Sequence, residues 1–292
     1  PVAEAQVSPM PAAGRLARAG AFLGLLILVL AYLLFGLLGR DPWGPDEGRA
    51  TGIIHSMAAS GDLLVPALAG EPVLETPPGY YLGAVGMVRL LGDWLAVHDA
   101  ARVMTGVCVA LALLFAGLTA RRAWGAGIGR VAVLTLLGSV ALTYYGHVMV
   151  ADLGLLAGTA MGGYGLLRAR KSVAWGGLWL GTGGGLAFLS TGPFGPAVLG
   201  LAVLLLFAFS DWRKGVYLRA LVIALVVALP WLAIWPAELY LRDPELYRTW
   251  LAASDPLGHL QTAALTAPPQ GEFWLRTLPW VSFPVLPLAL WT

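Results

Sequence analysis

The stretch from Arg40 to Ala84, RDPWGPDEGRATGIIHSMAASGDLLVPALAGEPVLETPPGYYLGA, decides how this chain is organised. It follows a run of almost pure hydrocarbon and collects acids, prolines and glycines. A polar interruption of this kind between long apolar runs predicts a large loop lying beside a membrane.

The composition places the chain in a membrane. Its 292 residues are 58% hydrophobic and only 12% charged, with a mean hydropathy of +0.76, whereas soluble domains carry about 25% charged residues. The apolar runs have the length of membrane-crossing helices, which satisfy their own backbone hydrogen bonds. We therefore predict an all-α integral membrane protein, a multi-span helical bundle. The lone cysteine, Cys108, excludes a disulfide framework within the chain.

Eight apolar runs are predicted to span the membrane. Glycine-rich stretches at 158–165 and 176–185 predict close approach of neighbouring helices. The predicted module covers 1–292, with outer loops at 39–96 and 237–272, and we expect a C-terminal part beyond it. The spans are predicted at about 20–38, 97–120, 129–147, 150–168, 173–190, 192–209, 216–236 and 273–292.

The charge distribution predicts the orientation. If Pro77–Gly92 lies on the membrane as an interfacial helix and the N-terminus is cytoplasmic, the short inner segments hold most of the basic residues and only two acids, Glu4 and Asp211. Most acids and all four histidines then fall outside. A spanning Pro77–Gly92 would move the Arg121–Arg130 cluster outside, against the positive-inside rule.

The first outer loop has its own helix signal. Apolar residues recur at helical spacing after the Asp46-Glu47 pair, which predicts a short amphipathic helix with Asp46 near its N-cap and a stop at Gly61. Glu47 complements the helix dipole in the first turn. A turn at 70–72 and a second acid, Glu75, follow. The apolar positions are Ala50, Ile53, Ile54, Met57 and Ala58.

Several segments of the sequence together carry a resemblance to a known family. The specific part is an Asp-Glu pair after the first span, an amphipathic helix, ASGDLLVPALAGEPVLETPPGYY (59–81), and an arginine at the start of the next span. Weaker signals are HVMVADLGLLAGTAM (147–161), FLSTGPFGPAVLG (188–200) and LPWLAIWPAELYLRDPELYRTWL (229–251). Taken in order, they resemble the polyprenyl-phosphate-dependent glycosyltransferases of the GT-C superfamily, including aminoarabinose transferase and the protein O-mannosyltransferases.

The resemblance implies a chemistry. Such enzymes move a sugar from a polyprenyl-phosphate donor to an acceptor at the outer face, here the periplasmic face of a bacterial inner membrane. It implies that Asp46 activates the acceptor and Asp152 assists, that Glu75 and His259 hold a divalent metal, and that the membrane supplies the lipid substrates. The implied substrate-binding residues are Glu47, Glu75, Tyr81, Arg102, Arg242 and Arg248.

Two residues depart from the family pattern. Thr76 stands where the aminoarabinose enzyme has a lysine before Pro-Pro, and Thr191 replaces the lysine that often precedes Gly-Pro. Both lysines would bring positive charge near the phosphate. Their loss argues against naming the sugar as aminoarabinose or the acceptor as lipid A.

Two other functions stay open at this point. A transporter or flippase predicts ionisable residues inside the spans or an internal repeat, and neither is clear in the sequence. A noncatalytic scaffold subunit that keeps the fold is compatible with the two missing lysines. We find no nucleotide-binding loop, which disfavours a nucleotide-sugar donor, and we expect no nucleic-acid partner.

Overall fold

A computed structural model describes residues 12–125, 127–209, 215–254 and 271–291. The described chain is mostly helical, as predicted, with one hairpin of two-residue strands among its connecting loops. The helices are α1 (Ala12–Leu34), α2 (Gly44–Ser60), α3 (Gly79–Leu91), α4 (Val97–Trp124), α5 (Ile128–Leu137), α6 (Val140–Tyr145), α7 (Asp152–Ala169), α8 (Val173–Thr191), α9 (Phe194–Leu206), α10 (Gly215–Arg242), α11 (Pro244–Ala253), α12 (Gly271–Val281) and α13 (Val285–Trp291).

Some helix boundaries differ from the predicted spans. The run 129–147 is two helices, α5 and α6, because the helix breaks at Gly138 and the Ser139 hydroxyl accepts the Leu142 N–H as a new N-cap, at 3.3 Å. The run 273–292 likewise divides into α12 and α13. In the other direction, α10 continues through Pro230 and Pro236 to Arg242, six residues past the predicted end.

The centre of the bundle is α4, α7, α8 and α10, which pack side by side. Glycine allows the close contact between α7 and α8. A Cβ on Gly158 would lie 2.6 Å from the Gly183 carbonyl oxygen, and one on Gly176 would lie 2.4 Å from the Ala169 Cα. The two glycine-rich stretches therefore do bring helix backbones together, as predicted.

The first outer loop packs over one end of this bundle. Helix α2 buries Ala50, Ile53, Ile54 and Met57 in the largest apolar cluster of the described residues, against α3 and α4. A hairpin follows, with β1 (Ala67–Leu68) antiparallel to β2 (Glu71–Pro72). Its turn lies at Ala69 (φ 53°) and Gly70 (φ 89°), one residue earlier than predicted, since two-residue hairpin loops favour positive φ at both positions.

A second apolar cluster attaches the loop to the far side of the bundle. Val65 and Leu74 of the loop pack with Phe188, Trp235, Leu239 and Trp250. The Trp235 indole N–H donates to the Leu64 carbonyl at 2.9 Å. Because α2, the hairpin and α3 are fixed at both sides, the polar residues that they carry have defined positions.

Two of the described helices, α4 and α10, are long and apolar enough by length and composition to cross a membrane. Shorter apolar helices lie at Ala19–Leu34, Ile128–Leu137 and Phe194–Leu206. The predicted number of eight spans stays a prediction.

Candidate active site

Helix α2 turns two consecutive carboxylates in different directions. It begins at Gly44 with Pro45 in its first turn, so Asp46 and Glu47 both lie in that turn. Successive helical residues point about 100° apart. Asp46 is exposed and Glu47 is completely buried. The two neighbours therefore belong to two different environments.

Asp46 faces a cavity of about 630 Å³ between the first outer loop and α5, α6 and α7. Its polar residues include Asp46, Arg49, Tyr81 and Asp152, which come from three different helices. The rest of the lining is mainly apolar. It is formed by Leu136, Ala141, Leu142, Met149, Val150, Leu153 and Leu156, with Tyr145 and Ser139 among them. A cavity lined by both charged and apolar side chains suits an amphiphilic ligand.

Arg49 links this cavity to Glu75. It lies three residues after Asp46, on the same side of α2. Its Nη2 donates to Glu75 Oε1 at 2.9 Å, and both side chains are exposed. The hydrogen bond from Arg49 holds the pKa of Glu75 below its ordinary value, and the same contact raises the pKa of Arg49. Both groups are therefore charged at neutral pH.

Tyr81 and Asp152 enter the cavity from the starts of two helices. Tyr81 is in the first turn of α3, and burial raises the pKa of its hydroxyl, partly offset by a hydrogen bond with the Thr76 side chain. The phenol is therefore a neutral donor. Asp152 is the first residue of α7, and its side chain is exposed to the cavity.

Glu47 and Arg102 meet beneath the loop, away from this cavity. The Arg102 Nε donates to Glu47 Oε1 at 2.8 Å, and neither side chain has exposed surface. Arg102 Nη1 donates to Asp99 Oδ1 at 2.8 Å and to the Arg40 carbonyl at 2.7 Å. Arg40 in turn donates to both oxygens of Glu47, at 2.7 and 3.0 Å. We call Arg40, Glu47, Asp99 and Arg102 the buried charge cluster.

The cluster keeps Glu47 ionised. Burial alone raises the pKa of this carboxyl, but hydrogen bonds from Arg40, the Trp43 N–H (2.8 Å) and Arg102 outweigh it and hold the pKa below the ordinary value. Arg40 also donates to the His147 carbonyl at 2.7 Å. The cluster thus connects four parts of the chain: the segment after α1, the start of α2, helix α4 and the segment before α7.

The remaining predicted residues lie elsewhere. Arg242 pairs with Asp62 (2.7 Å) and Arg248 with Glu245, and neither lines the cavity. His259 lies outside the described residues. Within the described ranges no group of three His, Cys, Asp or Glu side chains is placed to hold a metal ion, and Glu75 faces a guanidinium instead.

The sequence predicts Asp46, Tyr81 and Asp152 as site residues, and the structure places all three around one cavity. That prediction missed Arg49, although the three-residue spacing from Asp46 was available as a signal. The resemblance also implies that Arg102 binds substrate. In the structure Arg102 is buried: its Nε and Nη1 donate to carboxylates and carbonyls of 37–47 and Asp99, and its Nη2 has no hydrogen-bond partner among the described residues.

Comparison with known proteins agrees with this architecture. The undecaprenyl phosphate-alpha-4-amino-4-deoxy-L-arabinose arabinosyl transferase of Aeromonas salmonicida is 32% identical, over 90% of this chain and 49% of that protein. Transferase 1 of the same description from Sodalis glossinidius is 30% identical, over 93% of this chain and 50% of that protein. The chain thus spans about half the length of these curated relatives.

Solved structures show the same fold. ArnT from Cupriavidus metallidurans bound to undecaprenyl phosphate matches with a TM-score of 0.68 and 24% identity, over 81% of this chain and 44% of that one. The apo state of the same protein matches with a TM-score of 0.69 and 25% identity, over 80% and 44%.

A family match assigns the chain directly. Residues 75–235, more than half of the chain, match the family described as dolichyl-phosphate-mannose-protein mannosyltransferase. The match runs from Glu75 through α10 and so includes most of the bundle described above. The protein therefore belongs to this family of membrane-embedded, polyprenyl-phosphate-dependent GT-C glycosyltransferases.

Proposed function

We propose that the protein is a membrane glycosyltransferase that moves a sugar from a polyprenyl-phosphate donor to an acceptor hydroxyl, with Asp46 as the acceptor-activating carboxylate. One observation carries the proposal: Asp46, Arg49, Tyr81 and Asp152 border one cavity whose remaining lining is mainly apolar. The polar residues suit a sugar phosphate and the apolar lining suits an isoprenoid chain. The named activities of the relatives point to the same donor class.

The proposed reaction needs a base rather than an acid. The phosphate of a glycosyl phosphate leaves readily once its negative charge is balanced, so the departing oxygen needs no proton. Asp46 accepts the proton of the acceptor hydroxyl as the oxygen attacks the anomeric carbon, and the bond from that carbon to the phosphate oxygen breaks. Direct attack inverts the anomeric configuration, by analogy with glycosidases that form no covalent intermediate.

Other cavity residues orient the substrates in this proposal. Tyr81 is a neutral hydroxyl donor, and Asp152 is a carboxylate acceptor for sugar hydroxyls in the same cavity. We propose that Glu47 and Arg102 act through the protein, by fixing the start of α2, since in the described structure both are buried among protein groups. Arg242 and Arg248 stay candidates for contact with lipid headgroups.

The proposed setting is the bacterial inner membrane, with a cytoplasmic N-terminus and the cavity at the periplasmic face. The inner excess of arginine and lysine supports this orientation. A divalent metal is kept only as an expectation from the family resemblance, since Glu75 is paired with Arg49 and no step above uses a metal.

The test uses the protein made from its complete natural coding sequence, reconstituted with an envelope fraction as acceptor. Radiolabelled polyprenyl-phosphate sugars are supplied one at a time, and donor consumption is measured with and without EDTA. We expect one donor to be consumed, and Asp46→Asn to lower consumption about 10³-fold. Asp93→Asn is the matched control, because Asp93 is exposed and does not line the cavity.

Two outcomes contradict the proposal. If the correctly inserted protein consumes none of the donors, the proposed transferase activity is wrong. If Asp46→Asn and wild type turn over donor equally, the protein is a scaffold or uses a different base. Loss of consumption with EDTA would show that a metal takes part, and unchanged consumption would remove the metal expectation.

A further inference from the structure

The proposed reaction leaves one requirement open, which is a positive charge for the departing phosphate. The resemblance implies a lysine at position 76, but this chain has Thr76, whose side chain carries no charge. Among the described residues that line the cavity, Arg49 is the one basic residue. The cavity therefore contains a single candidate for this task in the described part of the chain.

Arg49 is well placed beside the reacting groups. It follows Asp46 by one helical turn on α2 and lines the same cavity. The carboxylates of Glu75 and Asp46 both act on its guanidinium, with the Glu75 hydrogen bond as the largest contribution. A phosphate held by Arg49 would therefore lie next to the carboxylate that activates the acceptor.

Its present partner is easily exchanged. The Arg49 and Glu75 side chains are 44% and 65% exposed, and ion pairs in such positions contribute about 0–1 kcal/mol. Only Nη2 is engaged, so within the described residues Nε and Nη1 make no hydrogen bond. An arginine has five N–H donors in a planar fork that matches two phosphate oxygens.

We propose that Arg49 binds the phosphate group of the polyprenyl-phosphate donor, and that Glu75 is the counter-ion that holds Arg49 in place when the phosphate is absent. This inference rests on the proposed function. The donor is a phosphodiester with one negative charge, and the lipid product is a phosphomonoester with up to two. Because charge grows on the phosphate as its bond to the sugar breaks, the guanidinium stabilises the transition state and product more than the donor.

The test measures equilibrium binding of tritiated undecaprenyl phosphate to the purified protein, which needs no knowledge of sugar or acceptor. Arg49→Gln should weaken binding about 10-fold or more, as expected for loss of charge-assisted hydrogen bonds. Arg49→Lys should weaken it less, because the charge remains. Glu75→Gln should leave binding equal or tighter, because it removes the competing carboxylate.

Controls separate the phosphate from the lipid and the fold. Arg89→Gln is the matched control, since Arg89 is exposed on α3 and does not line the cavity. Undecaprenol, which lacks the phosphate, should bind wild type and Arg49→Gln alike. Excess inorganic phosphate and phosphatidylglycerol are competitors, and weaker competition from them than from undecaprenyl phosphate assigns the site to the isoprenoid phosphate.

The inference is overturned if Arg49→Gln binds undecaprenyl phosphate within about twofold of wild type, or if Glu75→Gln weakens binding as much as Arg49→Gln. An equal effect of Arg49→Gln on undecaprenol would also contradict it. If wild type binds the lipid phosphate and Asp46→Asn abolishes turnover while Arg49→Gln binds normally, only this inference fails. If wild type neither binds nor consumes any donor, the proposed function fails.

Discussion

Two groups of charged side chains meet at helix α2, and they differ in their access to water. The buried charge cluster contains two arginines and two carboxylates, and the carboxylate of Glu47 is completely enclosed. The other group, which we call the cavity group, consists of Asp46, Arg49 and Asp152, which line the cavity, and Glu75, which pairs with Arg49, and all four residues are exposed. The two groups meet at Asp46 and Glu47, which are adjacent in α2 and whose side chains point about 100° apart.

The tyrosines at the start of α3 repeat this division. Tyr80 is buried, and its hydroxyl lies 2.7 Å from the Thr105 hydroxyl, whereas Tyr81 lines the cavity. A charge or hydroxyl without water must be paired, because an unpaired polar group in the interior is costly. In the described structure the buried, paired residues hold the loop in position, and the solvent-exposed residues remain available to a substrate. Five experiments test this division.

The largest effect is expected from Glu47→Ala. Removing this carboxylate leaves Arg102 buried without its main partner, which typically costs about 3–5 kcal/mol. We expect a large fall in the melting temperature of the purified protein and loss of activity with it. A melting temperature unchanged from wild type would show that the cluster does not stabilise the loop.

Asp46→Asn is expected to act on activity alone. The side chain is exposed, so the free energy of unfolding should change by less than about 0.5 kcal/mol while donor turnover falls about 10³-fold. Thermal unfolding and turnover are measured on the same preparation. A parallel loss of stability would mean that Asp46 belongs with the structural group.

The pH dependence of stability should identify Glu47 as a member of the paired group. Its folded-state pKa lies below the ordinary value of 4.5, so its contribution is present above that value and is lost as the pH falls through the lowered pKa. The melting temperature of wild type should therefore drop toward acid pH, while Glu47→Gln, facing Arg40, Arg102 and Asp99, should show a shallower drop. About 1 kcal/mol corresponds to about 2–4 °C for a chain of this size. Parallel curves would contradict the assignment.

The two tyrosines offer a smaller, matched comparison. Tyr80→Phe leaves the Thr105 hydroxyl with only a long contact to the Val148 carbonyl, at 3.5 Å, and should cost about 1 kcal/mol. Tyr81→Phe should leave stability nearly unchanged and raise the donor KM. Melting curves and donor titrations of both variants check this, and the opposite pattern would reverse our assignment of the two side chains.

The smallest effect is expected at Arg242. Its ion pair with Asp62 is on the surface, so Arg242→Gln should change stability by at most about 1 kcal/mol. Arg102→Gln makes the same substitution at a buried arginine. The difference in stability loss between the two variants therefore measures the effect of burial. Equal melting temperatures for the two variants would mean that burial does not distinguish the two arginines.

Local features were readable without the fold. The apolar spacing after Asp46 predicts a helix, and α2 occupies Gly44–Ser60 with Gly61 at its end in the left-handed region (φ 73°). The glycine-rich runs predict close helix packing, and Gly158 and Gly183 are in contact across α7 and α8. By contrast, the break at Gly138 was hidden, because its flanks are as apolar as any span.

The sequence by itself determined that the chain is a helical membrane protein and that its acids concentrate in the first loop, 39–96, since composition and periodicity are local properties. Only the tertiary structure decided which of the two adjacent carboxylates, Asp46 or Glu47, is exposed to solvent. Glu47 is enclosed because α4 brings Arg102 and Asp99 beneath the loop, and Asp46 stays free because α6 and α7 leave a cavity in front of it. Burial and ion pairing depend on residues far apart in sequence, so adjacent residues of the same chemistry acquire different tasks.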